Sequence, residues 1–150
     1  MLGKTTEYAI RSLVYIYLKN TDGERPGFKE IAKNIGSPEE FTGKVLQHIT
    51  RAGLVSSIKG RGGGFFFDDP DKPLSLFDVM QVTEGQEFFS KCGFGLQPCD
   101  ENNPCPIHDD YTRVRSAFYE LMNSQTIQSM ALKINQNKAV LSRLEIEYKS

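Results

Sequence analysis

Apolar positions along this chain recur mostly three and four residues apart, with one stretch where they alternate. The pattern therefore predicts a mainly α domain carrying a small β element. Residues about 5–19 place Tyr8, Ala9, Ser12, Leu13, Tyr15, Ile16 and Leu18 near a helical period. Thr5 or Thr6 is positioned to cap that helix, and Asn20-Thr21-Asp22-Gly23 ends it. After Pro26-Gly27 a short helix from Phe28 to Asn34 turns Ile31 and Ala32 inward and stops at Gly36. Ser37-Pro38-Glu39-Glu40 then carries a full start signal, with Ser37 as N-cap, Pro38 in the first turn and Glu40 completing a capping box. Phe41, Val45, Leu46 and Ile49 form the buried stripe of this third helix, which ends at Gly53.

Two short helices joined by a glycine turn make a helix-turn-helix pattern, and the open face of the second offers Thr42, Gly43, Lys44, Gln47 and His48. The pattern alone equally suits any helical bundle; the next stretch tips the balance. Leu54–Ile58 alternates as a strand and Phe65–Phe67 reads as its partner, separated by Lys59-Gly60-Arg61-Gly62-Gly63-Gly64. Glycines there let the hairpin tip approach another backbone, and Lys59 and Arg61 supply charge for phosphates or the minor groove. A helix-turn-helix followed by a basic hairpin is a winged helix. The glycine loop does not read as a nucleotide phosphate cradle, because it lacks a Lys-Ser/Thr ending and no helix follows it at once.

Asp69-Pro-Asp-Lys-Pro73 is a turn, and Ser75 caps a short helix from Leu76 to about Val82. The longest amphipathic stretch, about Asp109–Met122, puts Tyr111, Val114, Phe118, Leu121 and Met122 on one stripe and Arg113, Arg115 and Glu120 on the other side. Ile127–Ile134 reads as its continuation. Such a stripe covers a core or seals a dimer. The dimer is favoured, because paired readers of a palindromic DNA site need two copies. The organisation expected is a winged helix-turn-helix domain over 1–85, a cysteine loop over 86–108, a dimerisation helix over 109–135 and a polar tail over 136–150 anchored by Leu141 and Leu144.

Charge sharpens the DNA reading. The formal net charge of the 150 residues is only −1. Phe28–Arg61, however, holds six basic residues against three acidic, while Asp68–Asp110 holds ten acidic against two basic. Salt screens charges beyond about 8–10 Å, so a basic face works even on a neutral molecule. No apolar run is long enough to span a membrane and the N-terminus has no signal-peptide core, so a cytoplasmic location is expected. No nucleophile–base pair suggests an enzyme.

All three cysteines fall in one stretch, Cys92-GFGLQP-Cys99-DENNP-Cys105-PI-His108. Gly, Pro, Asn and Asp make it a loop with little apolar content of its own. Three thiols and an imidazole offer another means of holding it, by ligating a metal or an iron–sulfur cluster. Long gaps suit a cluster better than the paired knuckles of a zinc finger. Burial as plain apolar side chains and a disulfide with one thiol left over are the alternatives.

The chain resembles the bacterial winged-helix regulators typified by IscR and NsrR over about its first 135 residues. The resemblance rests on Lys4-Thr-Thr-Glu-Tyr-Ala-Ile-Arg11, Ala52-Gly-Leu-Val55, the wing Lys59-Gly-Arg-Gly-Gly-Gly-Phe65 and the cysteine loop ending Cys105-Pro-Ile-His108. It implies a homodimeric, double-stranded-DNA-binding transcription factor, commonly a repressor. It also implies an iron–sulfur cluster, 2Fe-2S in preference to 4Fe-4S, that senses redox state, nitric oxide or cluster supply. Cys92, Cys99 and Cys105 match the cluster ligands. His108 matches the fourth ligand of IscR-like members, and Glu7 falls where NsrR-like members supply a carboxylate from the other subunit. Six residues separate Cys92 from Cys99 where the family's pattern has five. A cluster-free regulator using the thiols for redox sensing or zinc, and a protein-interaction module, are the competing functions.

Overall fold

Helix α1 (Lys4–Thr21) is the axis on which the other elements pack. The computed structural model describes residues 2–144. Ala9, Leu13 and Ile16 on α1 are fully buried, and around them lie Ile31 and Ile35 of α2 (Phe28–Ile35), and Leu46 and Ile49 of α3 (Glu39–Arg51). Val79 and Met80 of α4 (Leu76–Thr83) and Ile127 and Ala131 of α6 (Ile127–Asn135) complete the same core. The three-to-four-residue spacing of these side chains is what makes each segment helical once a common core exists to bury it.

Helix starts depart from the sequence expectation. Neither Thr5 nor Thr6 caps α1, whose N-cap is Gly3. The capping oxygen comes from Glu84, just beyond α4, which accepts the Gly3 N–H at 3.0 Å and the Thr6 hydroxyl at 2.7 Å. A carboxylate at a helix N-terminus complements the helix dipole, so this contact closes α1 onto the end of α4. In α3, Pro38 is extended (φ −61°, ψ 133°) and is itself the N-cap, so the Ser37–Glu40 capping box does not form. Ser37 Oγ instead pairs with Thr42 Oγ1. Gly36 takes the left-handed conformation (φ 68°) that terminates α2 and turns the chain into α3.

The wing is shorter than the alternation suggests: β1 (Ser56–Ile58) pairs antiparallel with β2 (Gly64–Phe66), with Ser57 opposite Phe65. Val55 leaves the ladder to be buried in the core. Three contacts hold the base of the wing. The Phe65 N–H donates to the Pro26 carbonyl at 2.9 Å, Asn20 accepts the Phe67 N–H at 2.9 Å, and Arg25 lies 4.4 Å from the Phe66 ring centre. α4 begins with a true capping box, Ser75 with Asp78.

The segment expected as one dimerisation helix over 109–135 is two helices, α5 (His108–Ser124) and α6. Gln125 is extended and Thr126 opens α6 with a reciprocal Thr126–Ser129 capping box. The Gln125 carbonyl accepts the Leu76 N–H and the Leu74 carbonyl accepts the Ile127 N–H, so the break is stitched to the segment before α4. α6 then returns to α1. Of the two tail anchors, Leu141 packs on the core and the Leu144 side chain sits against Gly36; residues 145–150 lie outside the described residues. No helix among the described residues is long and apolar enough to cross a membrane.

Candidate nucleic-acid interface and candidate metal centre

The third helix and the wing expose their cations on one side of the molecule. Lys44, Gln47 and Arg51 are exposed on α3, and Lys59 and Arg61 are exposed at the wing tip. Lys44, Gln47, Arg51 and Lys59 line a single cleft of about 1040 Å³ between the two elements. Arg51 was not among the residues singled out from sequence. Its position seven residues after Lys44, two helical turns on, is the signal that marks it as part of the same face.

Two of the expected contact residues are placed differently. Thr42 is fully buried and its hydroxyl donates to the Pro38 carbonyl at 2.7 Å, so it closes the first turn of α3 and does not face outward. His48 is exposed, but its Nε2 donates to the Val82 carbonyl at 2.9 Å, tying α3 to the C-terminal end of α4. Glu39 meets Lys29 at 3.8 Å across the helix-turn-helix.

The cysteine loop is entered through an aromatic cluster. Phe88 and Phe89, on a single 3₁₀ turn, pack with Phe118 and Tyr119 of α5, and Phe89 also meets Phe77 of α4. Cys92 follows and is buried. The backbone N–H of Phe94 is the chief influence holding its thiol below the ordinary value, helped by the Leu96 and Gly95 N–H groups and a hydrogen bond from Cys105. Donors converging on a sulfur favour thiolate, the ligating form. On the other side, Cys99 Sγ lies 3.7 Å from His108 Nδ1 at the first residue of α5. Asn103 and Asn102 hold the Asp100 carboxyl below its usual range and close a tight turn between the second and third cysteines.

Cys99 and His108 thus stand together, Cys105 is among the neighbours that lower the Cys92 thiol, and no disulfide joins the thiols. Among the described residues no three His, Cys, Asp or Glu side chains are gathered to hold one ion. Three thiols and an imidazole are donor types that iron–sulfur clusters take, so the chemistry of the donor set fits such a group. Glu7, on the exposed side of α1, meets Lys4 at 3.2 Å.

The α5 stripe divides. Phe118 and Met122 are buried within this chain, and the Tyr111 ring covers Gly93, where an added Cβ would fall 2.4 Å from a ring carbon. Tyr111 therefore packs on the cysteine loop, and these three do not form an outward seam. Val114 and Leu121 are 57% and 48% exposed, with Ala117 exposed between them. Arg115, expected to face away, turns to the loop and donates to Cys99 Sγ at 3.7 Å and to the Lys91 carbonyl at 2.9 Å.

A helix-turn-helix whose second helix and adjoining hairpin share one cationic cleft defines a winged-helix DNA-binding regulator of transcription. The chain belongs to the Rrf2 family, described as iron-dependent transcriptional regulators, whose model matches residues 2–133. It is 35% identical over 130 residues to protein aau3 of Rhizobium meliloti, covering 86% of this chain and 83% of that one. Its fold is similar to CymR, the global cysteine regulator of B. subtilis, with a TM-score of 0.71 at 22% identity, covering 88% of this chain and 96% of that one. It is likewise similar to T. potens IscR, with a TM-score of 0.70 at 16% identity and coverage of 93% and 92%. The family description places the chain among transcriptional regulators rather than enzymes.

Proposed function

We propose that the chain is a homodimeric repressor whose affinity for a palindromic operator is switched by an iron–sulfur cluster of the 2Fe-2S type. Cys92, Cys99, Cys105 and His108 hold it. The observation that carries this reading is the contact between Cys99 Sγ and His108 Nδ1 within a loop that holds all three thiols. His108 is preferred to Glu7 as fourth ligand because it lies 3.7 Å from a candidate ligand sulfur, while Glu7 is engaged by Lys4. When bound, the cluster supplies a centre whose charge and ligation change with redox state, nitric oxide or cluster supply. The chain's own residues do the rest. The loop grips α5 through Tyr111 and Arg115, and α5 presents Val114, Ala117 and Leu121 to a second copy. Two α3 helices then enter successive major grooves, with Lys44, Gln47 and Arg51 at the DNA, while Lys59 and Arg61 of each wing reach the backbone.

Anaerobic purification tests the assignment. Iron and acid-labile sulfide should be found in equal amounts, with a visible absorption band that Cys92→Ser, Cys99→Ser and Cys105→Ser each abolish. Colourless protein with stoichiometric zinc would overturn it. A second reading has its own support: Cys105 is among the neighbours that lower the Cys92 thiol, so a cluster-free regulator sensing oxidants by joining these two thiols is a coherent alternative. Peptide mapping after mild oxidation of metal-free protein distinguishes it by a Cys92–Cys105 disulfide that weakens operator binding.

A further inference from the structure

We infer that Arg115 is a positioning residue that makes the charge on the Cys99 sulfur felt by α5, an inference that rests on the cluster reading above. Its guanidinium makes two contacts at once, to Cys99 Sγ at 3.7 Å and to the Lys91 carbonyl at 2.9 Å. It also lies 5.8 Å from the centre of the Tyr111 ring, which itself covers Gly93. One side chain therefore clamps the loop on both sides of Cys92, and it projects from the middle of α5, next to Val114 of the outward stripe.

The Lys91 carbonyl is a neutral acceptor that does not change, whereas the sulfur's negative charge depends on what it is bound to. A charge-assisted N–H···S contact is strongest when the sulfur carries most electron density. Nη1 donates to both acceptors, so it has a fixed anchor and one variable arm. Weakening that arm frees the loop between 91 and 99 while leaving Arg115 held at Lys91. Conversely, a cation and donor beside a ligand sulfur favours the reduced state of whatever the sulfur binds, since hydrogen bonds to sulfur and local charge set cluster potentials.

Two measurements on the full chain test this, with Arg115→Gln and Arg115→Lys as the variants and circular dichroism confirming the fold. In metal-free protein, hydrogen exchange of the 91–99 amides should accelerate at least fivefold in Arg115→Gln, with α1–α4 unchanged. In anaerobically loaded protein, Arg115→Gln should disfavour reduction by about tenfold, about 59 mV for one electron. Arg115→Lys, which keeps the charge but not the planar guanidinium, should fall between and carries the potential measurement if Arg115→Gln does not load. Unchanged exchange, or an unchanged potential in whichever variant loads, overturns the inference. Wild-type protein without iron and sulfide would sink the cluster reading instead, and the exchange result would still decide whether Arg115 clamps the loop.

Discussion

Single residues in this protein do work that their type does not announce. Thr42 looks like a phosphate contact on an exposed helix face, yet it is fully buried and closes the first turn of α3 through Pro38. Thr42→Val keeps the shape and removes the hydrogen bond, so unfolding by urea should show a loss of about 1 kcal/mol. The salt dependence of DNA binding should stay as it is. Lys59→Ala with Arg61→Ala should do the reverse, leaving stability within about 0.5 kcal/mol. Each phosphate contact they lose should flatten the slope of log K against log salt by about 0.9. A flattened slope in Thr42→Val, or an unaltered one in the double variant, would invert these assignments. Gly64 is demanding for a different reason: its φ is +142°, and an added Cβ would fall 2.1 Å from the Arg25 carbonyl oxygen. Gly64→Ala must push β2 away from the 25–26 segment. The expected result is a weaker grip on DNA by at least tenfold with the helical content of the core intact, read by titration and circular dichroism.

At the scale of elements, what was legible in the sequence follows a physical line. Helix spans were legible because burial of an apolar stripe on a shared core acts at every third or fourth residue, and α1, α2, α3 and α4 appear where their stripes put them. Caps were legible only where the partner is local. Ser75–Asp78 closes as its spacing demands, whereas Ser37–Glu40, with the same signature, loses to an extended Pro38 and to the pull of Thr42. The oxygen that caps α1 comes from Glu84, far along the chain, and no local pattern marks it. The break between α5 and α6 has the same origin, since Leu74 and Leu76 take the backbone bonds that a continuous helix would have used. For the site, the cysteine spacing points to candidate donors but not to the contact of Cys99 with His108, and the helical stripe could not tell a residue covering the loop, Tyr111, from one facing out, Val114. Glu84→Ala should therefore act on two elements together. It removes the Gly3 and Thr6 contacts, costing about 0.5–2 kcal/mol as for other lost caps. Hydrogen exchange should rise at the start of α1 and the end of α4 in parallel. A rise confined to α1 would show that Glu84 does not couple them.

At the scale of the whole molecule, the cysteine loop and the cationic cleft are joined by a chain of contacts through α4 and α3. The cysteine loop leaves α4 just after Glu84 and returns to α5 at His108, and α4 is bound to α3 by His48 at the Val82 carbonyl. In the switch proposed above, a change in the loop has two routes to the DNA: through α4 to the third helix of the same chain, and through α5 to the spacing of two chains. The second route requires that Val114, Ala117 and Leu121 meet their counterparts, because a two-fold pair is needed to read two half-sites together. Leu121→Asp puts a charge in that proposed seam, at a side chain 48% exposed in the single chain, so the fold of each copy has little to lose. Sedimentation velocity at micromolar concentration should then show a monomer with unchanged helical content. Affinity for the full operator should fall by about 10²–10⁴, the advantage that linking two weak half-site contacts confers, while affinity for an isolated half-site stays constant. If the aspartate variant remains a dimer and still binds the full operator as the wild type does, the outward stripe of α5 is not the seam, and the loop must act on α3 through α4 alone.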